Sequence, residues 1–206
     1  MPHAHLVNRN RLRVVANARA AVLETLKEDH KRAKKAFHDF SLLDLDEDPE
    51  GARRLVERTC AELTMHATLE EEFLYPAARR VMVEEEVVDE AEVEHVATRR
   101  LIDTLRKMGP SDKKYSAYFA VLGEYVRNHI KEEELEIFPI LQGAKLDWVA
   151  MKEDMDIRRS ELLASFPEPV ELTRVMRQVG AANGNNGFEP AGSASTTGAG
   201  AGPVTP

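Results

Sequence analysis

The chain has 206 residues, 43% of them hydrophobic and 31% charged, which is apolar residue enough for one well-buried core and length enough for one or two domains. Its formal net charge of -8 and pI of about 5.5 repel phosphates, so neither nucleic acid nor a membrane surface is expected as a partner, whereas an acidic balance suits a protein that collects cations. The single cysteine, Cys60, excludes an internal disulfide and a cysteine-rich metal site.

From about residue 10 to 166 the chain reads as helix after helix, with apolar residues every three or four positions and prolines at 49, 76, 110, 139 and 167 as punctuation. The first helix is expected over about Leu12 to Phe40, with Leu23, Leu26, His30, Ala33, Phe37 and Phe40 on its inner face. The acidic stretch Asp44 to Glu50 reads as a turn, and a second helix follows from about Pro49 to Met82. A third covers about Val87 to Met108 and stops at Gly109-Pro110, and a fourth runs from about Asp112 to Gly143 with Ser111 or Asp112 as N-cap. A fifth, about Leu146 to Phe166, is amphipathic through Val149, Met155, Leu162 and Phe166, with Trp148 pinning it to the rest. Residues 167–206 hold five of the ten prolines and seven of the eleven glycines, too little apolar surface to offset ordering entropy, and read as a disordered tail. The N-terminus lacks the apolar run of a signal peptide, and no stretch is apolar enough to span a membrane; a cytoplasmic protein is expected.

Two of these helices share a motif. The second contains HATLEEEFLYPAAR from His66, and the fourth contains HIKEEELEIFPILQ from His129. Each has Glu at +4 (Glu70, Glu133), an aromatic at +9 (Tyr75, Phe138) and Pro at +10 (Pro76, Pro139), which is an internal repeat. Residues four apart share a helix face, so His66 with Glu70, and His129 with Glu133, can grip one ion or adjacent ions. His30 lies 36 residues before His66, and His95 lies 34 before His129, so each repeat is a helical hairpin with one His on its first helix and His-x-x-x-Glu on its second. Two such hairpins about a pseudo-twofold axis bring four histidines and two glutamates to one point. Imidazole nitrogen and carboxylate oxygen suit iron, manganese or zinc, and each glutamate has two oxygens with which to bridge two ions. A lone His on an amphipathic helix is ordinarily a packed boundary residue, and an EEE run is ordinarily a solvated face. Four of the seven histidines on four successive helices at matched spacing outweigh that reading. The aromatic-Pro pairs read as hairpin packing and helix-end signals.

With KEDH ending at His30, HATLEEEFLYP, the His95 helix and HIKEEELEIFP, residues 20–145 resemble the hemerythrin-like family, the HHE cation-binding domain. The resemblance implies an all-α, antiparallel four-helix bundle (up-down-up-down) around a non-haem, carboxylate-bridged centre of two Fe ions, with Mn or Zn as alternatives. It implies His30, His66, Glu70, His95, His129 and Glu133 as ligands. The organisation expected is a partly helical N-terminal extension over 1–19, the bundle over 20–145, an additional helix over 146–166 and the tail over 167–206. Two departures stand out. Arg99 occupies the place where the O2-carrying members have a second third-helix histidine, and the last helix has Glu four residues after its histidine where they have Asp five residues on. Arg99 is expected to point outward. Both departures weaken the reversible-carrier role and favour sensing, iron handling or peroxide removal.

Other residues read more plainly. His38 is eight residues, roughly 12 Å of helix, beyond His30 and is a surface or supporting residue; His3 and His5 lie near the terminus. Tyr125, one turn before His129, reads as core packing, with a hydrogen bond near bound oxygen as the alternative. Glu62, one turn before His66, is a candidate partner for a ligating ring, and Cys60 a small core residue. Three functions are thereby distinguished: a di-iron protein that binds O2 or peroxide; a metal-responsive module meeting a protein partner through its C-terminal helix or tail; and a purely structural bundle. An enzymatic role, if present, is peroxide decomposition or O2 reduction.

Overall fold

A computed structural model describes residues 3–166, with side chains from residue 10 onward; the tail expected over 167–206 lies outside the described residues. The elements are α1 (His3–Ser41), α2 (Pro49–Leu69), a π turn (Glu70–Leu74) leading into α3 (Tyr75–Arg79), α4 (Glu86–Leu105), α5 (Tyr115–Glu132), a second π turn (Glu133–Ile137) leading into α6 (Phe138–Gly143), and α7 (Trp148–Ser165). The bundle is an antiparallel four-helix one. α1 packs on α2 and α5, and α4 packs on the same two, so the four rods close a ring through short connections. α7 lies against α1 and α2. No helix among the described residues is long and apolar enough to cross a membrane.

Helix ends follow local chemistry. Asp48 accepts a hydrogen bond from the Gly51 N–H at 2.8 Å and Pro49 opens α2, while Asp147 caps α7 through the Ala150 N–H at 3.2 Å. α5 starts three residues later than the spacing suggests, with Lys114 rather than Ser111 or Asp112 at its N-cap. Asp112 closes the preceding turn instead, its carboxylate taking the Lys114 N–H at 2.8 Å. α1 begins earlier than Leu12 because nothing in the first residues breaks it, and α7 packs against its Val15–Val22 stretch.

The core divides into two apolar layers. One gathers Leu26, Leu69, Leu74, Tyr75, Ile137, Phe138, Leu141 and Trp148. The other gathers Phe37, Phe40, Val56, Leu63, Ile102, Phe119 and Leu122. Between them lies a belt of buried polar side chains, and the predicted donor residues all fall in it.

Candidate metal centre

The repeat motif has a backbone consequence that periodicity alone does not reveal. In each hairpin the glutamate opens a π turn, closed by the N–H of Tyr75 bonding to Glu70 O and the N–H of Phe138 bonding to Glu133 O. Pro76 and Pro139 follow directly. A proline has no N–H to offer, and its ring clashes with the carbonyl four residues back; one widened turn accommodates both effects. The helices expected to run unbroken through these segments are therefore each interrupted once, beside the donors.

His30, His66, Glu70, His95, His129 and Glu133 are all at most 6% exposed. They form two groups whose ligand atoms lie within 4.8 Å of one another: His30, His66, Glu70 and Glu133, and Glu70, His95 and His129. Glu70 alone is common to both, with Oε1 2.9 Å from His66 Nε2 and Oε2 3.4 Å from His95 Nε2. Glu133 is grouped only with the first, Oε2 lying 3.2 Å from His30 Nε2, and His129 acts on its charge from farther off. The rings meet in pairs, His30 Nε2 to His66 Nε2 at 3.1 Å and His95 Nε2 to His129 Nε2 at 3.2 Å.

Each ring has a carboxylate behind it. The Nδ1 of His30 lies 2.8 Å from Glu134, that of His66 3.3 Å from Asp29, that of His95 2.9 Å from Glu71 and that of His129 2.9 Å from Glu94. An ionised carboxylate only accepts, so each Nδ1 donates, and a ring that is neutral turns its Nε2 lone pair toward the centre. The pattern repeats with the pseudo-twofold. The acid before the first-helix histidine (Asp29, Glu94) serves the second histidine of its own hairpin, and the acid after the ligand glutamate (Glu71, Glu134) serves the other hairpin. Glu62, the partner suggested by spacing, binds no histidine ring among the described residues; it lines the adjoining cavity, with Arg32 Nε 3.9 Å away.

These residues fit a bound cation. All four carboxylate oxygens of Glu70 and Glu133 are buried, and apart from the facing ring nitrogens none has a polar partner. Two such charges taken out of water cost several kcal/mol each, on the order of what only a cation or protons can offset. Without metal, protons take that part. Burial opposes protonation of His66 and His95, but Glu70 with Asp29, and Glu70 with Glu71, outweigh it and push the rings up to about 10 and about 9. Burial, then the charge of Glu70, raises Glu133. Burial also works to raise Glu70, but His66 and His95 prevail and hold it well below the usual carboxylate range.

Aromatic rings cover two of the imidazoles. Phe138 stacks on His30 with centroids 5.7 Å apart, and Tyr75 stacks on His95 at 5.5 Å with its hydroxyl 3.4 Å from Nε2. The aromatic at +9 thus packs on the centre rather than merely ending a helix. Tyr125 is 46% exposed, so it belongs neither to the core nor to the centre. Arg99 is half-exposed and paired with Glu71 rather than solvated alone. A cavity of about 30 Å³ adjoins all four rings and is completed by Thr59, Thr98, Val126 and Ile130 among others.

A family model described as the hemerythrin HHE cation binding domain matches residues 21–141. A DNA nickase from Nostoc sp. is 25% identical over 122 residues, which are 59% of this chain and 34% of that protein, so the chain spans about a third of that relative's length. A solved hemerythrin HHE cation binding domain-containing protein from Mycobacterium kansasii has the same fold, with a TM-score of 0.58 at 22% identity over 69% of this chain and 86% of that one.

Proposed function

The chain belongs to the hemerythrin HHE cation-binding domain family, and from that premise we propose that its buried donors hold two iron ions and expose them to O2 or peroxide. His30, His66, Glu70 and Glu133 hold one ion; His95, His129 and Glu70 hold the other. The observation that supports this most directly is the pair Glu70 and Glu133, buried with no polar partner but ring nitrogens that are already oriented by their own carboxylates.

Bound iron supplies redox chemistry and an open coordination position. The chain supplies the rest. The His95 group gathers three donors where the His30 group gathers four, so an ion held there would keep more room for a further ligand. The cavity beside the rings has room for one or two water-sized molecules, enough for a diatomic or peroxide, and Thr98, Val126 and Ile130 keep larger molecules out. Tyr75 brings a buried O–H to the His95 side, and Phe138 brings none to the His30 side. Burial, reinforced by the charge of Glu70, raises the Tyr75 phenol far above its ordinary value, so it stays protonated and donates. Pairing of Arg99 with Glu71 leaves its place near the centre without a further imidazole, which favours sensing, iron handling or peroxide removal over reversible carriage.

Metal analysis of the purified protein tests the reading together with optical spectra in oxidised and reduced forms. The expected result is two irons per chain and a visible absorption that is lost on reduction and returns in air. Protein from iron-replete cells that contains no metal, or only zinc or manganese, overturns the iron assignment.

A further inference from the structure

α7 lies outside the stretch matched by the family model, yet two successive arginines on it reach groups flanking the centre. Arg159 grips both oxygens of Asp29, Nη1 to Oδ1 at 3.2 Å and Nη2 to Oδ2 at 2.5 Å. That same Oδ2 accepts the Nδ1–H of His66. Arg158 makes a fork on Glu72 with two bonds of 2.8 Å, and Glu72 sits in the π turn two residues after Glu70. Trp148 and Met155, both buried, dock the same helix onto the apolar layer above the centre.

The other half has no such support. Where the first hairpin has Asp29 the repeat places Glu94, which accepts from His129 and has no lysine or arginine within ion-pair distance among the described residues. Where it has Glu72 the repeat places Leu135, 64% exposed. The donors and the carboxylates behind them are pseudo-symmetric, but the support from α7 is not.

We propose that α7 is a latch on the metal centre, in which Arg159 is a positioning residue that keeps Asp29 on His66 and so retains the ion held by His30, His66, Glu70 and Glu133. The inference rests on the two-ion reading above. Asp29 has a second cation one turn along its own helix, Arg32, which binds only Oδ1 and so leaves Oδ2, the oxygen on His66, to Arg159. Arg159 holds both carboxylate oxygens with a bidentate, charge-assisted grip that a single lysine bond would not match. Without it only Arg32, on Oδ1, anchors the carboxylate, and Oδ2 is free to swing off His66, which leaves the Nδ1–H buried and unpaired. Losing a partner of that kind lowers metal affinity by roughly 10–100-fold. Linkage makes the effect reciprocal, so occupancy of the centre tightens α7 by the same factor, and loss of the ion loosens it.

Titration of the full chain with Co2+, followed by chelator competition, tests this on wild type, Arg159→Leu, Arg159→Lys and Arg158→Ala. Two binding events are expected in wild type. Arg159→Leu weakens one of them roughly 10–100-fold and leaves the other within about twofold. Arg159→Lys recovers part of the loss, and Arg158→Ala, which leaves Asp29 held, weakens that event less than Arg159→Leu does. Amide exchange over residues 148–165 slows when Co2+ binds to wild type, and slows less in Arg159→Leu; the wild-type measurement stands even if that variant folds poorly. The latch is overturned if Arg159→Leu binds both ions like wild type, if it loses both equally while circular dichroism shows an intact bundle, or if exchange over 148–165 ignores the metal. Two ions bound with no effect of Arg159 sinks the latch alone, whereas no Co2+ bound to wild type sinks the two-ion reading with it.

Discussion

Arg99 is paired with Glu71, the carboxylate that accepts the Nδ1–H of His95. The half-exposed arginine therefore touches the centre at one remove, and its effect should be graded below that of its partner. Glu71→Gln weakens the acceptor behind His95 and should lower affinity for the ion on the His95 and His129 side by roughly 10–100-fold. Arg99→Leu leaves that acceptor charged and should cost at most about tenfold. Chelator competition on each variant measures both, and a larger effect for Arg99→Leu than for Glu71→Gln would contradict the order of contacts.

The bundle was legible from periodicity and from the resemblance, and the shared face of each His–Glu pair from the spacing alone. A 3.6-residue repeat with His and Glu four apart puts them on one buried face whatever the tertiary detail. The carboxylates behind the rings were not legible. Glu71 and Glu134 sit inside EEE or EEL runs that read as solvated, and only the approach of a neighbouring helix distinguishes the one acid that leans inward. Their signal was position: acidic immediately before His30 and His95, and immediately after Glu70 and Glu133. The π turns had a signal too, a proline ten residues after a histidine inside an otherwise continuous helix, but its backbone effect depends on whether the chain kinks, stops or widens there. Tyr125 shows the opposite error, since one helical turn from a donor fixes height along the bundle but not which way the side chain faces.

Gly123 on α5 lets α1 approach closely. A Cβ there would come within 2.9 Å of Phe37 Cδ1 and 3.0 Å of its Cγ, and that ring is itself packed on Phe119. Gly123→Ala gains about 1 kcal/mol of helix propensity but forces the ring aside at about 1–3 kcal/mol. A net loss of up to about 2 kcal/mol is expected in denaturant unfolding, with metal content unchanged because the clash lies in the layer away from α7.

Cys60 is buried on α2, and burial pushes its thiol up to about 12. Reactivity needs the thiolate, so the native protein at pH 8 should resist alkylation and the denatured protein should react at once. Labelling followed by intact mass measurement checks it, and rapid native labelling would show that α2 opens locally.

Metal binding and protons should compete strongly at this centre. In the metal-free protein His66 and His95 titrate at about 10 and about 9, raised from 6.5 against burial by the carboxylates beside them, so both are protonated at neutral pH. A ligand nitrogen must give up that proton, so filling both groups at pH 7 releases about two protons, one from each ring, and affinity at each climbs by up to about tenfold per pH unit until the rings deprotonate unaided. Stability of the metal-free form runs the other way. Because both rings have folded values above their ordinary one, their contribution is whole below pH 6.5 and is lost as pH rises through about 9 and 10. Glu70, held low by His66 and His95 against burial, contributes above pH 4.5 and fades as acid protonates it. The rise in melting temperature on adding Co2+ should therefore be larger at pH 9 than at pH 6, and calorimetry in buffers of different ionisation enthalpy should register the released protons. A melting shift independent of pH, with no heat dependent on buffer, would mean that the metal does not displace protons from these rings.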